Sequence, residues 1–423
     1  MGWLIPIRAR ALAAILAAVG VAVGSTPVAR AAQPITIGFG MALTGGLAPN
    51  GKAALLAMQI WAADTNAKSG LLGRPVKLVY YDDQSNPSVV PGIYTKLLDV
   101  DNVDLVVSGY ATNMIAPAMP VIIAHQKTFL GLFGLAVNSQ FHYDRYFSVV
   151  PTGGPQPKQS FSAPFFAVAA AHDPKPRTIA IVGADAEFPK NAIEGAIALA
   201  RQDGFKIVYN QTYPPNTADF TPIIRAIQAT NPDLVFVASY PPDSVGMIRA
   251  ANEVGLKTKM FGGGMVGLQS TSIKMQLGPL LNGIVDYDFW LPFGALKTPA
   301  TMDFLKEYQA KAAGSGVDPL GYYLPPFAYA DLQILGDAVE GTKSLDQAKL
   351  AEYLRSHSFD TVAGPVTFGP DGEWTEARVL EVQFQGVRGH DMAQFTDPKT
   401  EAILYPDRYK SGVLRFPYTE AQR

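Results

Sequence analysis

The residues best placed to do chemistry in this 423-residue chain lie close to its first apolar runs. Residues 46–53 read GLAPNGKA, a glycine loop ending in Lys52 that satisfies most of the pattern with which backbone N–H groups and a lysine cradle phosphates. The next apolar run ends in Asp82, which imitates a magnesium-holding partner. The imitation stops there, because such a loop needs a hydroxyl directly after the lysine to hold the metal, and this chain has Ala53. The glycines are therefore read as turn residues that expose N–H groups at a helix start. Asp82 and Asp83 form a carboxylate pair, yet Asn86 and Pro87 follow closely as a cap and first-turn proline, so a turn explains the pair better than acid–base work. His125, His142, His172, His357 and His390 are scattered, with no H-E-x-x-H pair, and no G-x-S-x-G elbow is present. The absence of cysteine excludes disulfides, thiolate nucleophiles and Cys-ligated metals. No catalytic residue, metal site or cofactor is expected.

What remains is recognition chemistry. Thr112 precedes a helical stretch, so its hydroxyl and the adjacent N–H groups can hold a carboxylate, or simply cap the helix. Gly134, Leu135 and Ala136 follow an apolar run and leave backbone groups accessible. Phe188, Tyr240 and Met265 offer aromatic and apolar walls.

These residues sit on a repeating plan of short apolar runs alternating with helical periodicity, which predicts an α/β fold with mainly parallel sheets. Strands are expected at residues 35–39, 76–81, 104–108 and 128–133, with a helix between the first two marked by Leu55, Met58, Ala62 and Thr65 and stopped by Gly70. After the break TGGPQPKQ at 152–159 the plan restarts: strand 178–182, helix 189–203, strand 205–209. DLVVSGY at 104–110 is echoed by DLVFVASY at 233–240, each a third strand ending in tyrosine, which points to a duplicated lobe. Two such lobes imply a cleft, since ligands of open parallel sheets sit beyond the carboxyl ends of the strands.

Composition sets the broad class. With 48% hydrophobic and 17% charged residues the chain can bury two cores and is not disordered. A net charge of -2 without basic blocks argues against nucleic acid as a partner. Arg8 and Arg10 ahead of the apolar run 11–23, with small Ala29 and Ala31, predict a signal peptide over residues 1–31. Cleavage would remove Arg8, Arg10 and Arg30 and no acids, moving the net charge from -2 to -5. Lacking a cysteine for lipid attachment, the mature protein is expected to diffuse freely in the periplasm.

Several passages together resemble the leucine/isoleucine/valine-binding family of type I periplasmic binding proteins. ITIGFGMALTGG opens the match, DTNAKSGLLGRPVKLVYYDDQSNP is its most specific part, and IAIVGADAEF, DFTPIIRAIQATNPDLVFVASYP, IRAANEVGLKT and TVAGPVTFGPDGE follow in order. The resemblance implies two Rossmann-like lobes joined by a three-crossing hinge, with crossings near 149–151, 283–288 and 360–364. The first lobe would then comprise 32–150 and 284–362, and the second 151–283 and 363–423. It also implies a monomeric, non-enzymatic receptor that hands a small molecule to an ABC-type permease; a ligand-sensing domain and a periplasmic enzyme are the alternatives. By position, Thr112 matches a hydroxyl that contacts the ligand carboxylate, and Gly134 to Ala136 match the segment that grips the head group. Phe188, Tyr240 and Asn50 fall on aromatic contact positions.

The chain departs from the family pattern where the ligand ammonium would be paired. The acidic residue falls at Gly264 or Met265, and a threonine is replaced by Ala136. A buried ammonium without a counter-charge is costly, so either Asp185 or Glu187 substitutes or the ligand has no α-ammonium. The expectation is an apolar or aromatic carboxylate, with a branched-chain amino acid as the alternative.

Overall fold

A computed structural model describes residues 1–3 and 33–422; the expected signal peptide falls, apart from its first three residues, outside the described part. Five parallel strands build the first sheet: β1 (Ile35–Met41), β2 (Val76–Asp82), β3 (Leu105–Tyr110), β4 (Phe129–Leu132) and β5 (Tyr146–Val149), in the order β2-β1-β3-β4-β5. The second sheet repeats this plan with β6 (Thr178–Ala184), β7 (Lys206–Tyr213), β8 (Leu234–Ser239), β9 (Met260–Met265) and β10 (Val285–Asp288). After a small hairpin of β11 (Ser358–Thr361) and β12 (Gly364–Thr367), two antiparallel edge strands, β13 (Leu380–Phe384) and β14 (Glu401–Tyr405), complete the order β14-β13-β10-β9-β8-β6-β7.

The central strands β3, β8 and β9 are buried along their whole length, as expected of continuous apolar runs covered on both faces. The two echoed segments become β3 and β8, each lying between the first strand of its lobe and the next. Tight backbone approach explains some of the glycines here. A Cβ on Gly109 would sit 2.2 Å from the Gly40 carbonyl oxygen, and one on Gly262, at φ +142°, 1.7 Å from that of Val285.

Two expected crossings are displaced. Residues 285–288 are not a connector but β10, paired with β9 and β13 in the second sheet, so the chain returns to the first lobe only after Asp288. Residues 360–364 turn the β11–β12 hairpin and are fastened to first-lobe helices: Thr301 Oγ1 donates to the Val362 carbonyl and Gln333 Nε2 to that of Asp360. The final crossing comes later, alongside the first. Ser148 N–H donates to Gly372 O (2.8 Å), Gly154 N–H to Trp374 O (2.7 Å) and Arg378 N–H to Pro151 O (2.8 Å).

The stretch between these crossings completes the first lobe. Helix Pro325–Thr342 packs on helix Ala48–Ala67, where Tyr329 donates to Asp64 (2.9 Å) and a Cβ on Gly336 would lie 2.8 Å from the Trp61 ring. Among the described residues no helix is long and apolar enough to cross a membrane.

Candidate functional site

Strand order reverses between β1 and β3 in one sheet and between β6 and β8 in the other, so the loops beyond these strands converge from both lobes. The lobes touch there. Asn191 Nδ2 donates to the Leu135 carbonyl at 2.9 Å, and Gln140 hydrogen-bonds Glu187 across the gap. A Cβ on Gly46 would lie 3.5 Å from Pro242 Cγ. Between hinge and mouth they frame a narrow cavity, about 350 Å³ when the space open to solvent is included.

The first lobe lines it with Tyr110, Ala111 and Thr112 after β3, with Phe133 and Leu135 after β4, and with Tyr323 before helix Pro325–Thr342. Val150 and Thr152 come from the first crossing. The second lobe adds Phe161, Phe188, Tyr240, Val266 and Tyr287, and Phe289 follows directly after β10. The rings meet edge to face, as their quadrupoles favour: Phe161 with Tyr287 at 4.8 Å between centroids, Phe133 with Phe289 at 5.0 Å, and Phe161 with Phe188 at 5.4 Å. Backbone strain concentrates on the same loops, where Ala111 (φ 88°), Phe133 (φ 60°) and Ala136 (φ 55°) adopt positive φ without being glycine.

Among the described residues no Asp, Glu, Lys, Arg or His lines the cavity. Its polar groups are hydroxyls. Burial pushes the Tyr110 phenol up to about 12 and those of Tyr240, Tyr287 and Tyr323 well above the ordinary value, so all four remain neutral donors. Three of these phenols form part of a chain: Asn50 Nδ2 donates to Tyr110 Oη (3.0 Å), Tyr323 neighbours Tyr110, and Tyr287 and Tyr323 share a hydrogen bond of 2.8 Å across the lobes. Thr112 Oγ1 accepts the Leu135 N–H at 3.0 Å, which leaves its own proton free to donate. The hydroxyls of Thr152 and Tyr240 are buried without a partner.

Thr112, Leu135, Phe188 and Tyr240, expected from the sequence, thus line the cavity together. Asn50 stands one shell back, behind Tyr110. Gly134 is packed under the sheet, where a Cβ would meet Tyr146 Oη at 2.6 Å, and Ala136 turns away to accept a hydrogen bond from Ser139. Gly264 lies behind Phe161, where a Cβ would sit 3.4 Å from the ring, and the Met265 N–H is taken by Asp286. Asp286 is the acid that touches the expected counter-charge position, but it is fully buried behind β9 and also accepts from Gln269 at 2.9 Å. Burial pushes its carboxyl well above the usual range, so it offers no free negative charge. Asp185 and Glu187 lie outside the cavity, at the mouth, where Asp185 is paired with Lys190 at 2.5 Å.

Apart from Thr112, Leu135, Phe188 and Tyr240, sequence reasoning missed the lining residues, from Tyr110 and Ala111 after β3 to Phe289 and Tyr323. Tyr110 carried a signal, since it ends the echoed strand just as Tyr240 does. Thr152 sits beside the break at Pro151. The remainder have the composition of core residues, and only the meeting of the lobes exposes them to a ligand.

Asp82 and four of the histidines take structural roles. Burial acts to raise the Asp82 carboxyl, but hydrogen bonds from Thr44, Gln84 and Leu43 outweigh it and hold the group low, as a turn anchor. His125 is tied to Asp99 and Val121 O, His357 stacks on Tyr353, His172 on Phe416, and His390 bonds Met275 O. Among the described residues no group of three or more His, Cys, Asp or Glu could hold a metal ion.

The family described as "Periplasmic binding protein" matches residues 34–386. The Leu/Ile/Val-binding protein of Escherichia coli strain K12 is 26% identical over 352 residues, spanning 81% of this chain and 88% of its own. The branched-chain amino acid transporter substrate binding protein LivJ of Streptococcus pneumoniae, solved with isoleucine, superimposes with a TM-score of 0.71 at 16% identity, covering 88% of this chain and 100% of that one. A solute binding protein of an R. palustris ABC transporter, solved with 4-hydroxybenzoate, gives 0.72 at 19% identity, covering 85% and 95%. At such identities the solved structures establish the shared two-lobed fold.

Proposed function

The chain belongs to the periplasmic binding protein family, and from that premise we propose that it is the exported, non-enzymatic substrate-binding component of an ABC importer. Its ligand is a small carboxylate with an apolar, aromatic body and no α-ammonium. The observation that carries this reading is the cavity itself, shared by both lobes, walled by aromatic rings, supplied with hydroxyl donors and free of any carboxylate that could pair an ammonium. An ammonium placed there would lose its hydration with no counter-charge in contact, since the mouth carboxylates, Asp185 paired with Lys190 and half-buried Glu187 bonded to Gln140, lie outside the cavity. A carboxylate fares better, because neutral hydroxyls aimed at it replace its hydrogen bonds to water. Contact from both lobes favours the closed state only when the ligand is present, which gives a permease a surface to distinguish. Among the described residues no cluster of His, Cys, Asp or Glu is placed to hold a metal ion for a reaction on the bound compound. Leader removal and free diffusion in the periplasm belong to the same reading.

Purified protein, stripped by unfolding and refolded, is expected to melt several degrees higher with saturating benzoate or a substituted benzoate. A ligand at a hundred times its Kd adds about 2.7 kcal/mol to the folded state. Stabilisation by leucine or isoleucine and not by aromatic acids would reverse the ligand class. No shift with any acid or amino acid would count against the receptor reading.

A further inference from the structure

Two hydroxyls in the cavity are buried without partners, and they stand at different ends of it. Thr152 lies on the first crossing, at the hinge, and is wholly inaccessible. Tyr240 follows β8 and is, among the described residues, the one side chain that lines both the cavity and the solvent-open groove at the mouth. The backbone N–H of Phe188 approaches the Tyr240 oxygen outside hydrogen-bond geometry, and in either case the phenolic proton has no acceptor. Thr112 also belongs to the mouth side, since the next residue, Asn113, lines the outer groove. The rest of the lining is rings and aliphatic groups, and the phenols of Tyr110, Tyr287 and Tyr323 among it already share hydrogen bonds with Asn50 and one another.

A buried polar group without a partner is rare and costly in a folded protein, and two facing one cavity define what should fill it. Resting on the ligand class proposed above, we infer that the ligand carries a second polar group at the end of its flat body opposite the carboxylate, and that Thr152 reads it. Thr112 and Tyr240 donate to the carboxylate from opposite lobes, while the Thr152 hydroxyl pairs with an uncharged group such as a ring hydroxyl. Thr152 therefore sets specificity between singly and doubly substituted aromatic acids. A site built to hydrogen-bond a hydroxyl discriminates strongly against an analogue lacking it, because its own polar group is then left unpaired.

Calorimetric titration with benzoate and 4-hydroxybenzoate tests this, comparing wild type, Thr152→Val and Thr152→Ser. Wild type should bind 4-hydroxybenzoate at least about tenfold more tightly than benzoate. The nearly isosteric valine should collapse that ratio towards one, and serine should restore most of it; melting curves of the variants confirm that each is folded. Equal affinity of wild type for the two acids, or a ratio that survives in Thr152→Val, overturns the assignment of Thr152 while leaving the receptor reading intact. If neither acid binds wild type, both this inference and the ligand class beneath it are wrong.

Discussion

A chain carrying Gly46→Cys and Pro242→Cys, loaded with ligand and then oxidised, should release that ligand roughly a hundredfold or more slowly than the reduced form. The expectation follows from where the two residues stand. Gly46 is on the loop after β1 and Pro242 opens helix Pro241–Val254 after β8, so they face each other from opposite lobes across the mouth. A Cβ at 46 lies 3.5 Å from Pro242 Cγ, so a small adjustment of the two exposed loops brings the paired cysteines to disulfide distance. Both positions are exposed, which makes the pair accessible to oxidant, and the chain has no cysteine of its own to compete. Cross-linking leaves the cavity walls untouched and removes only the freedom of the lobes to part. Dissociation should therefore be blocked mechanically and recover on reduction. If the oxidised protein exchanges ligand as fast as the reduced one, the route in and out does not require the lobes to separate.

The second large effect is on stability. Thermal stability should fall steadily as pH rises from about 5 to about 8, the reverse of a protein held together by salt-bridged carboxylates. Burial raises Glu373 and Asp288 to about 8 and Asp83 to about 6, and it pushes Asp286, Asp331 and Glu381 well above the usual carboxyl range. Each of these groups is protonated in the folded chain over a range where the unfolded chain has already released its proton. Their contribution is complete below the unfolded pKa, near 4, and is lost as pH climbs through the folded one. The carboxyls held low, such as Asp82 and Asp233, cost stability only at still lower pH. Glu373 is the cleanest probe, since it sits on the last crossing with neither carboxyl oxygen hydrogen-bonded. Replacing it with Gln should remove about one proton from the linkage, which flattens the slope by roughly 1.4 kcal/mol per pH unit between pH 5 and 8. A melting temperature that stays level or rises across this interval in the wild-type protein would contradict the protonation states assigned here.

Much of the fold is legible in the sequence because buried parallel strands leave dense apolar runs. The strands at 35–41, 105–110, 178–184 and 234–239 are examples, and their echo identifies the two lobes before any coordinate is known. The hinge was harder to read. β10 reads VDYD and carries two buried acids, a composition that suggests a polar connector; it becomes a strand because β9 and β13 pair with it on both sides. The hairpin at 358–367 likewise resembles a crossing until its bonds to Thr301 and Gln333 are seen. In the site, Thr112 and Tyr240 announce themselves as polar residues at strand ends. Phe161, Phe289 and Tyr323 do not, since a ring facing a ligand and a ring facing a core are spelled alike. Thr152 gains its meaning only from an unpartnered hydroxyl, a property of the assembled lobes.

The most direct test compares small-angle scattering of the stripped protein with and without a saturating aromatic acid, followed by mass spectrometry of the recovered compound. A decrease in the radius of gyration on addition, with the acid returned chemically unchanged, is the result predicted for two lobes that enclose a cargo without altering it. An unchanged scattering profile at full occupancy, or an acid recovered as a different compound, would contradict the account.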